Sequence, residues 1–330
     1  MTSAGSRRQE EIMRAVWLRE FGGPEVLAAG SAPDPVPGPG QVLIDVAHVN
    51  ITFVETQFRA GWSGPFGGNL PLIPGNGVGG VIAAVGADVD PALVGRRVVS
   101  GTGGSGGYAE KVVVDATMPI EVPEGLPLDV AVALLADGRT ATMLVNTVGL
   151  RPGERVLVEA AAGGVGSLLV QLAAAAGTRV VGLAGGPGKV SLLPELGADV
   201  AVDYLRPNWT EQVRAATDGV DVVFDGVGGE VGRAAFRLLE PGGRMISFGL
   251  ASGEWAGVPA EDAADRGVTL LRPDVPPARL RAYTEKALAE AVAGRLRPVI
   301  GQRFSLERAS DAHAAIGSRA TVGKTLLDVR

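Results

Sequence analysis

The chain has 330 residues, 46% of them hydrophobic and 20% charged; that is enough to bury an ordinary core, and at roughly 100–200 residues per domain it points to two domains. Thirty Lys and Arg against 36 Asp and Glu leave a net charge of −6, a sign that disfavours a nucleic-acid or anionic-membrane surface. With no cysteine and only two histidines, His48 and His313, the sequence excludes disulfides, thiol nucleophiles, cysteine-ligated zinc and His-rich metal sites.

Residues 1–12, MTSAGSRRQEEI, are polar and read as a flexible N-terminal extension, not a secretory signal. No apolar run reaches the ~20 residues of a membrane span, so the expected location is the cytoplasm. The first third reads as β structure broken by turns, with strands over Met13–Leu18, Gln41–Val49, Arg96–Ser100 and Tyr108–Val114. The four prolines of Ala32–Gly40 exclude a helix or central strand there, and Gly61–Gly80, rich in Gly and Pro, reads as loop.

From about Val130 to Pro273 apolar strands alternate with helices. The strands are Arg155–Glu159, Arg179–Leu183, Val200–Asp203, Asp221–Phe224, Arg244–Phe248 and Val268–Leu271. The helices are Val165–Ala176, Gly188–Leu196, Trp209–Thr217 and Val231–Leu239, with Pro194 opposing the last turn of the second. This alternation implies βαβ units and a parallel sheet covered on both faces, and six strands make two mononucleotide-binding halves. A helix over Ala278–Ala293 and short pieces ending in Lys324–Val329 complete the chain.

The strongest local signal is RVLVEAAAGGVGSLLVQLAAAAG, residues 155–177. An apolar strand runs into Ala160-Ala161-Ala162-Gly163-Gly164-Val165-Gly166, and a helix follows that stops at Gly177. This is a dinucleotide fingerprint with Ala160 in place of the first glycine. A diphosphate must approach bare backbone N–H groups at a helix N-terminus, and side chains at Gly163, Gly164 or Gly166 would block it or push the helix off the strand. The end of the next strand selects the cofactor. Residues 181–189, VGLAGGPGK, offer no carboxylate to repel a 2′-phosphate, and Lys189 supplies a cation, so NADP(H) is expected.

With these motifs in order, the chain resembles the zinc-independent, zeta-crystallin-like quinone oxidoreductase branch of the medium-chain dehydrogenase/reductase superfamily. The resemblance rests on MRAVWLREFGGPEVL (13–27), TQFRAG (56–61) preceded by Glu55, GGYAE (106–110), AAAGGVG, Ser247-Phe248-Gly249 and Ser318-Arg319-Ala320-Thr321. It implies an α/β fold, a GroES-like, mostly β catalytic domain (13–129 and 273–330) interrupted by a six-stranded Rossmann dinucleotide-binding domain (130–272). It also implies a homodimer or homotetramer.

The same resemblance assigns Thr140 to the nicotinamide amide, Lys189 and Tyr204 to the 2′-phosphate, and Phe248 and Gly249 to the nicotinamide pocket. Gly185 falls in the turn toward the 2′-phosphate, and Arg272 and Arg319 fall at further cofactor-contacting positions. Two departures stand out. Gly75-Asn76-Gly77 replaces the Gly-His-Glu of zinc-dependent relatives, and Thr52, Glu55 and Gln57 replace an Asn, an Asp and an aromatic residue near the nicotinamide. Thr52, Gln57 and Arg272 are the candidate donors to a substrate oxygen, although Thr52 and Gln57 are equally suited to satisfy loop backbone.

The expected reaction is hydride transfer from NADPH to a small-molecule quinone or α,β-unsaturated carbonyl, without zinc, nucleic acid or membrane. The alternatives are an enoyl reductase on a polyketide or acyl-thioester intermediate, and a non-catalytic, crystallin-like NADPH-binding protein. A further formal match, Gly103-Gly104-Ser105-Gly106-Gly107, has the pattern of a hydrolase nucleophile elbow, which demands a helix after the serine.

Overall fold

A computed structural model describes residues 12–62, 69–273 and 276–330. Most of the 1–12 extension therefore lies outside the described residues, and Ile12 already opens the first strand. Strand β1 (Ile12–Leu18) pairs antiparallel with β2 (Leu27–Pro33), which carries the first of the four prolines on a two-stranded sheet and not in a sheet centre. The chain continues through β3 (Gln41–Ile51), α1 (Phe53–Arg59), β4 (Gly77–Val85), β5 (Arg97–Gly101), β6 (Lys111–Asp115) and β7 (Ile120–Glu121). Within β3, Val42, Ile44, Val46 and Val49 are fully buried.

The start of β4 corrects the reading of Gly61–Gly80 as loop throughout. A Cβ at Gly77 would lie 2.8 Å from the Asn50 amide, at Gly79 2.1 Å from Val132 Cγ2, and at Gly80 2.0 Å from the Asp45 carbonyl oxygen. These glycines are sites of close approach in a strand, not turn signals. The segment Gly103–Gly107 forms turns with Gly103, Gly104 and Gly106 at positive φ, and no helix follows it. That removes the nucleophile-elbow reading of Ser105.

A long helix, α2 (Leu128–Val148), stands where the sequence pattern shows none. Ala131, Val132, Ala133 and Leu134 are all fully buried, so the first turns of the helix are apolar around their circumference and lack the striped face that marks a helix in sequence. The parallel sheet follows: β8 (Arg155–Val158), α3 (Gly164–Ala175), β9 (Arg179–Ala184), α4 (Pro187–Val190), β10 (Val200–Asp203), α5 (Trp209–Thr217), β11 (Val220–Asp225), α6 (Gly229–Phe236), β12 (Leu239–Ser247), α7 (Ala260–Asp265) and β13 (Thr269–Leu271). The helix expected over Gly188–Leu196 is broken into α4 and a 3₁₀ turn at Pro194–Leu196. Pro194 has no N–H to donate, and its ring opposes continuation of the preceding turn.

The six strands run in the order β10-β9-β8-β11-β12-β13, all neighbours parallel. Val156, Leu157, Val158, Val222, Val223 and Phe224 in its two central strands are wholly buried, and each such side chain contributes about 1.5–3 kcal/mol by leaving water. Helix α8 (Pro277–Val292), β14 (Ile300–Ser305), α9 (Ala309–Gly317) and β15 (Lys324–Asp328) close the chain. Strands β14, β15, β3, β4, β5 and β7 stand side by side in a seven-stranded sheet, with β6 pairing off this path on β3.

The chain divides into two compact units. One holds the residues up to Leu135 with Gln302–Thr321 and Thr325–Arg330; the other holds Ala136–Gly301 and Val322–Lys324. Those limits differ from 130 and 272: α8 belongs with the parallel sheet, and three residues near the C-terminus return to it.

Candidate functional site

The parallel sheet delivers a row of segments to its carboxyl edge. They are Glu159–Gly166 after β8, Gly185–Lys189 after β9, Tyr204 after β10, Gly226–Gly228 after β11, Phe248 and Gly249 after β12, and Arg272 after β13, where it is exposed. Strand order reverses between β8 and β11, the position at which open α/β sheets take ligands.

The turn after β8 has the bare backbone the motif demanded, with a separate reason at each position. Ala160 adopts φ +48°, a left-handed conformation in which glycine would be unstrained. Gly163 is the extended N-cap of the 12-residue α3; its own N–H closes the turn onto the Ala160 carbonyl at 2.8 Å, and the first N–H to bond back onto the helix start is that of Ser167, onto the Gly163 carbonyl at 2.9 Å. The Gly164, Val165 and Gly166 N–H groups therefore have no intrahelical acceptor. A Cβ at Gly166 would meet the Ala160 carbonyl oxygen at 2.1 Å, so this glycine serves helix–strand packing. At Gly164 it would meet Asp137 Oδ2 at 2.0 Å. At Gly163 it meets only the Ala160 carbonyl oxygen, at 3.1 Å, so this is the glycine whose bareness is least used by the protein itself. A diphosphate fits such a turn by its chemistry: free N–H donors at the positive end of a helix.

Three carboxylates near this edge carry no signal in the sequence. Asp137, in α2 one turn before the half-buried Thr140, accepts from Lys324 Nζ at 3.0 Å in a buried ion pair beside Gly164. The C-terminal segment is fastened to the same turn by Gly323 N–H donating to the Ala162 carbonyl at 2.7 Å. Glu159, fully buried, accepts the Val227 N–H at 3.0 Å, while its Oε1 has no partner among the described residues. Burial, and next the neighbouring Asp225 carboxylate, push the Glu159 carboxyl well above its usual range and favour the neutral acid. Asp225, also fully buried, accepts from the Gly228 N–H at 2.7 Å and the Ser247 hydroxyl at 2.6 Å, tying the ends of β11 and β12 together. Gly226 and Gly249 lie against this tie. A Cβ at Gly226 would meet the Phe248 ring at 2.8 Å, and one at Gly249 the Gly226 carbonyl oxygen at 2.6 Å.

A further carboxylate corrects the reading of the adenosine end. Asp203, at the close of β10, accepts the Gly186 N–H at 2.9 Å, so a carboxylate does reach the turn after β9, from the neighbouring strand. Tyr204 reaches the same turn: a Cβ at Gly185 would lie 3.0 Å from its phenol oxygen. Lys189 sits in α4.

Of the substrate-side candidates, Arg272 belongs to the parallel-sheet unit, and Thr52 and Gln57 belong to the other. Thr52 caps α1 in a capping box with Glu55, its N–H and hydroxyl donating to Glu55 Oε2 at 2.6 and 2.7 Å. The hydroxyl proton of Thr52 is thereby committed within the protein. Glu55, buried, also accepts the Asn76 N–H at 3.1 Å, which ties α1 to the loop before β4. Gln57 keeps a buried side-chain oxygen without a partner among the described residues. Asn50, which no motif marks, is 1% exposed, and neither of its amide atoms has a partner among the described residues. It fills the space that the missing side chain at Gly77 leaves. Arg319 is exposed in a turn at φ +58°. His48 lies in β3 and bonds Asp328 at 2.8 Å, and His313 bonds the Tyr108 hydroxyl at 2.8 Å. Among the described residues no three His, Cys, Asp or Glu side chains are arranged to hold a metal ion, and no helix is long and apolar enough to cross a membrane.

A bare helix-start turn on a six-stranded parallel sheet, in a chain that also carries a mostly β unit, defines a dinucleotide-binding oxidoreductase of the GroES-like type. Residues 38–124 match the alcohol dehydrogenase GroES-like domain, and residues 164–289 match the zinc-binding dehydrogenase family. The quinone oxidoreductase of Pseudomonas aeruginosa is 34% identical over 326 residues, 96% of this chain and 99% of the relative. A 2-haloacrylate reductase from Burkholderia is 31% identical over 96% of this chain and 98% of the relative. The structure of a mycobacterial protein complexed with NADPH superimposes with a TM-score of 0.87 at 33% identity, covering 96% of this chain and 99% of that one. The chain belongs to the quinone oxidoreductase branch of the medium-chain dehydrogenase/reductase superfamily.

Proposed function

We propose that the chain is an NADPH-dependent reductase that passes hydride to a quinone or an α,β-unsaturated carbonyl without zinc, in the cytoplasm, as a homodimer or homotetramer. The observation that carries the reading is the turn from Ala160 to Gly166, where Gly163 and three N–H groups without intrahelical acceptors open α3. The relatives support the two acceptor types: one is named for quinones, the other for 2-haloacrylate, an α,β-unsaturated acid. The absence of cysteine supports chemistry without zinc, whatever the description of the matched family.

Bound NADPH supplies a hydride from its reduced nicotinamide. The residues of this chain bind and orient. Gly163, Gly164, Val165 and Gly166 receive the diphosphate, Lys189 and Tyr204 the 2′-phosphate end, and Thr140, Phe248 and Gly249 the nicotinamide, with Arg319 a further cofactor contact. Thr52, tied to Glu55, shapes the start of α1 and offers the substrate only an acceptor. Gln57 is the better donor, because its buried side-chain oxygen has no partner among the described residues and rotation of the amide turns the NH₂ toward a substrate oxygen. Arg272 supplies charge to a developing oxyanion, and water supplies the proton.

The test is titration with NADPH followed by a turnover screen over quinones, enones and enoyl thioesters. Binding with steady NADPH oxidation on the first two classes is expected. No NADPH binding at all would sink the reading, and tight binding without turnover on any acceptor would mark a non-catalytic binder.

A further inference from the structure

We propose that Asp203 and Arg206 together set how strongly this chain prefers a 2′-phosphorylated cofactor, an inference that rests on the NADP(H) reading above. In this fold class a carboxylate at the end of the second strand holds the adenosine ribose hydroxyls and repels a 2′-phosphate, whereas a cation there welcomes it. Here the second strand, β9, ends in Ala184-Gly185-Gly186 with no charge of its own. The charge arrives from the third strand. Asp203 Oδ1 accepts two backbone N–H groups, from Gly186 at 2.9 Å and from Leu205 at 3.0 Å, and these bonds pin the carboxylate against the turn. Its side chain is only 15% exposed, so it is held in place while remaining open to the turn's surroundings.

Arg206 is the counterweight. A backbone bond from its N–H to the Asp203 carbonyl, 3.1 Å, folds residues 203–206 back on themselves. This brings Arg206 Nε to 3.8 Å from Asp203 Oδ2, while 68% of the side chain stays in solvent. At that distance the ion pair is loose, and the guanidinium is able to swing toward a phosphate, which it engages through two parallel N–H bonds. Both residues line a surface depression of about 400 Å³ with Pro187, Val190 and Asn208, which leaves the arginine room to move.

The consequence is a charge balance. A 2′-phosphate brings about −1.5 to −2 charges. Lys189 and Arg206 together outnumber Asp203 by one cation; without Arg206 the cations and the carboxylate are equal, and preference for the phosphate fades. Neutralising Asp203 strengthens it. Asp203→Asn is a clean probe, because the amide oxygen still accepts the Gly186 and Leu205 N–H groups while the charge is gone.

The experiment measures dissociation constants of 2′,5′-ADP and 5′-AMP, and of NADPH and NADH, for the full-length chain, Asp203→Asn, Arg206→Ala and the double variant, at low and at 1 M salt. The thermal midpoint of each ligand-free protein is recorded in parallel. The expected result is that Asp203→Asn raises the preference for 2′,5′-ADP over 5′-AMP roughly 3- to 10-fold and Arg206→Ala lowers it by a similar factor. Both effects shrink in 1 M salt, where charges are screened beyond ~3 Å. Arg206 is exposed, so its variant folds even if Asp203→Asn does not. Preference ratios unchanged within twofold in a wild type that binds 2′,5′-ADP would overturn the inference alone, as would a lowered ratio in Asp203→Asn. A wild type that binds neither 2′,5′-ADP nor NADPH would overturn the cofactor reading itself.

Discussion

Glu159 and His313 are buried ionisable side chains that tilt stability in opposite directions with pH. The folded chain holds a proton on Glu159 that the unfolded chain releases near the ordinary carboxylate range, so its raised pKa makes stability fall as pH rises. Glu159→Gln keeps the shape and the acceptor for the Val227 N–H but does not titrate. Its advantage over wild type in thermal midpoint should grow between pH 5 and pH 8, and an advantage that stays constant would contradict a neutral Glu159. For His313, burial and next the Arg59 charge press the ring's pKa down to about 3, so the unfolded chain binds a proton that the folded one refuses. Its stabilising effect is complete above pH 6.5 and is lost as pH falls toward about 3, at about 1.4 kcal/mol per unit inside that window. Urea unfolding of His313→Gln should show a flatter decline between pH 6.5 and 4 than wild type, whatever the two stabilities are at pH 7.

At the scale of elements, the start of α3 separates packing from binding. Gly166→Ala places a Cβ 2.1 Å from a carbonyl oxygen of the turn, backbone that is not free to move aside. It should cost about 1–3 kcal/mol of stability, as overpacking does, read as a lowered urea midpoint without cofactor. Gly163→Ala meets the same oxygen at 3.1 Å, so its cost should stay under about 1 kcal/mol. NADPH affinity should nonetheless drop tenfold or more, because the new methyl stands where the diphosphate approaches. Equal NADPH affinity in Gly163→Ala and wild type would remove this turn from the site. The same helix is legible in the sequence because an apolar strand, a glycine turn and Gly177 at positive φ bracket it. Helix α1 is not, because it is seven residues long and its only local signal is the Thr52–Glu55 box; α2 is not, because its first turns, Ala131–Leu134, are buried on every side and show no polar stripe to set its period.

For the whole molecule, the decisive contacts join distant parts of the chain. Lys324 and Asp137 are 187 residues apart and buried together beside Gly164. Lys324→Met strands an unpaired carboxylate and should cost about 3–5 kcal/mol in urea unfolding, whereas Lys324→Met with Asp137→Leu should recover most of it. A double variant no better than the single would show that the pair is not the source of the loss. Chain connectivity gives this pair its importance: residues Val322–Lys324 pack with the parallel-sheet unit, and the residues that follow at once form β15 against β3.

What the sequence determined by itself was whatever depends on neighbours along the chain. The six apolar runs of the parallel sheet, the bare turn at Ala160–Gly166 and the absence of cysteine each depend on side chains a few residues apart or on composition alone. Tertiary structure decided everything that depends on side chains meeting across strands. Gly77, Gly79 and Gly80 are strand residues because Asn50, Val132 and Asp45 press on them. Asp203 governs a turn 17 residues upstream because parallel pairing puts the end of β10 beside the end of β9. Glu159 favours its neutral form because the fold encloses it with Asp225 away from water. A pattern of residue types records which groups want burial or a charge; which of them come within 3 Å of each other is set only when the strands are laid side by side.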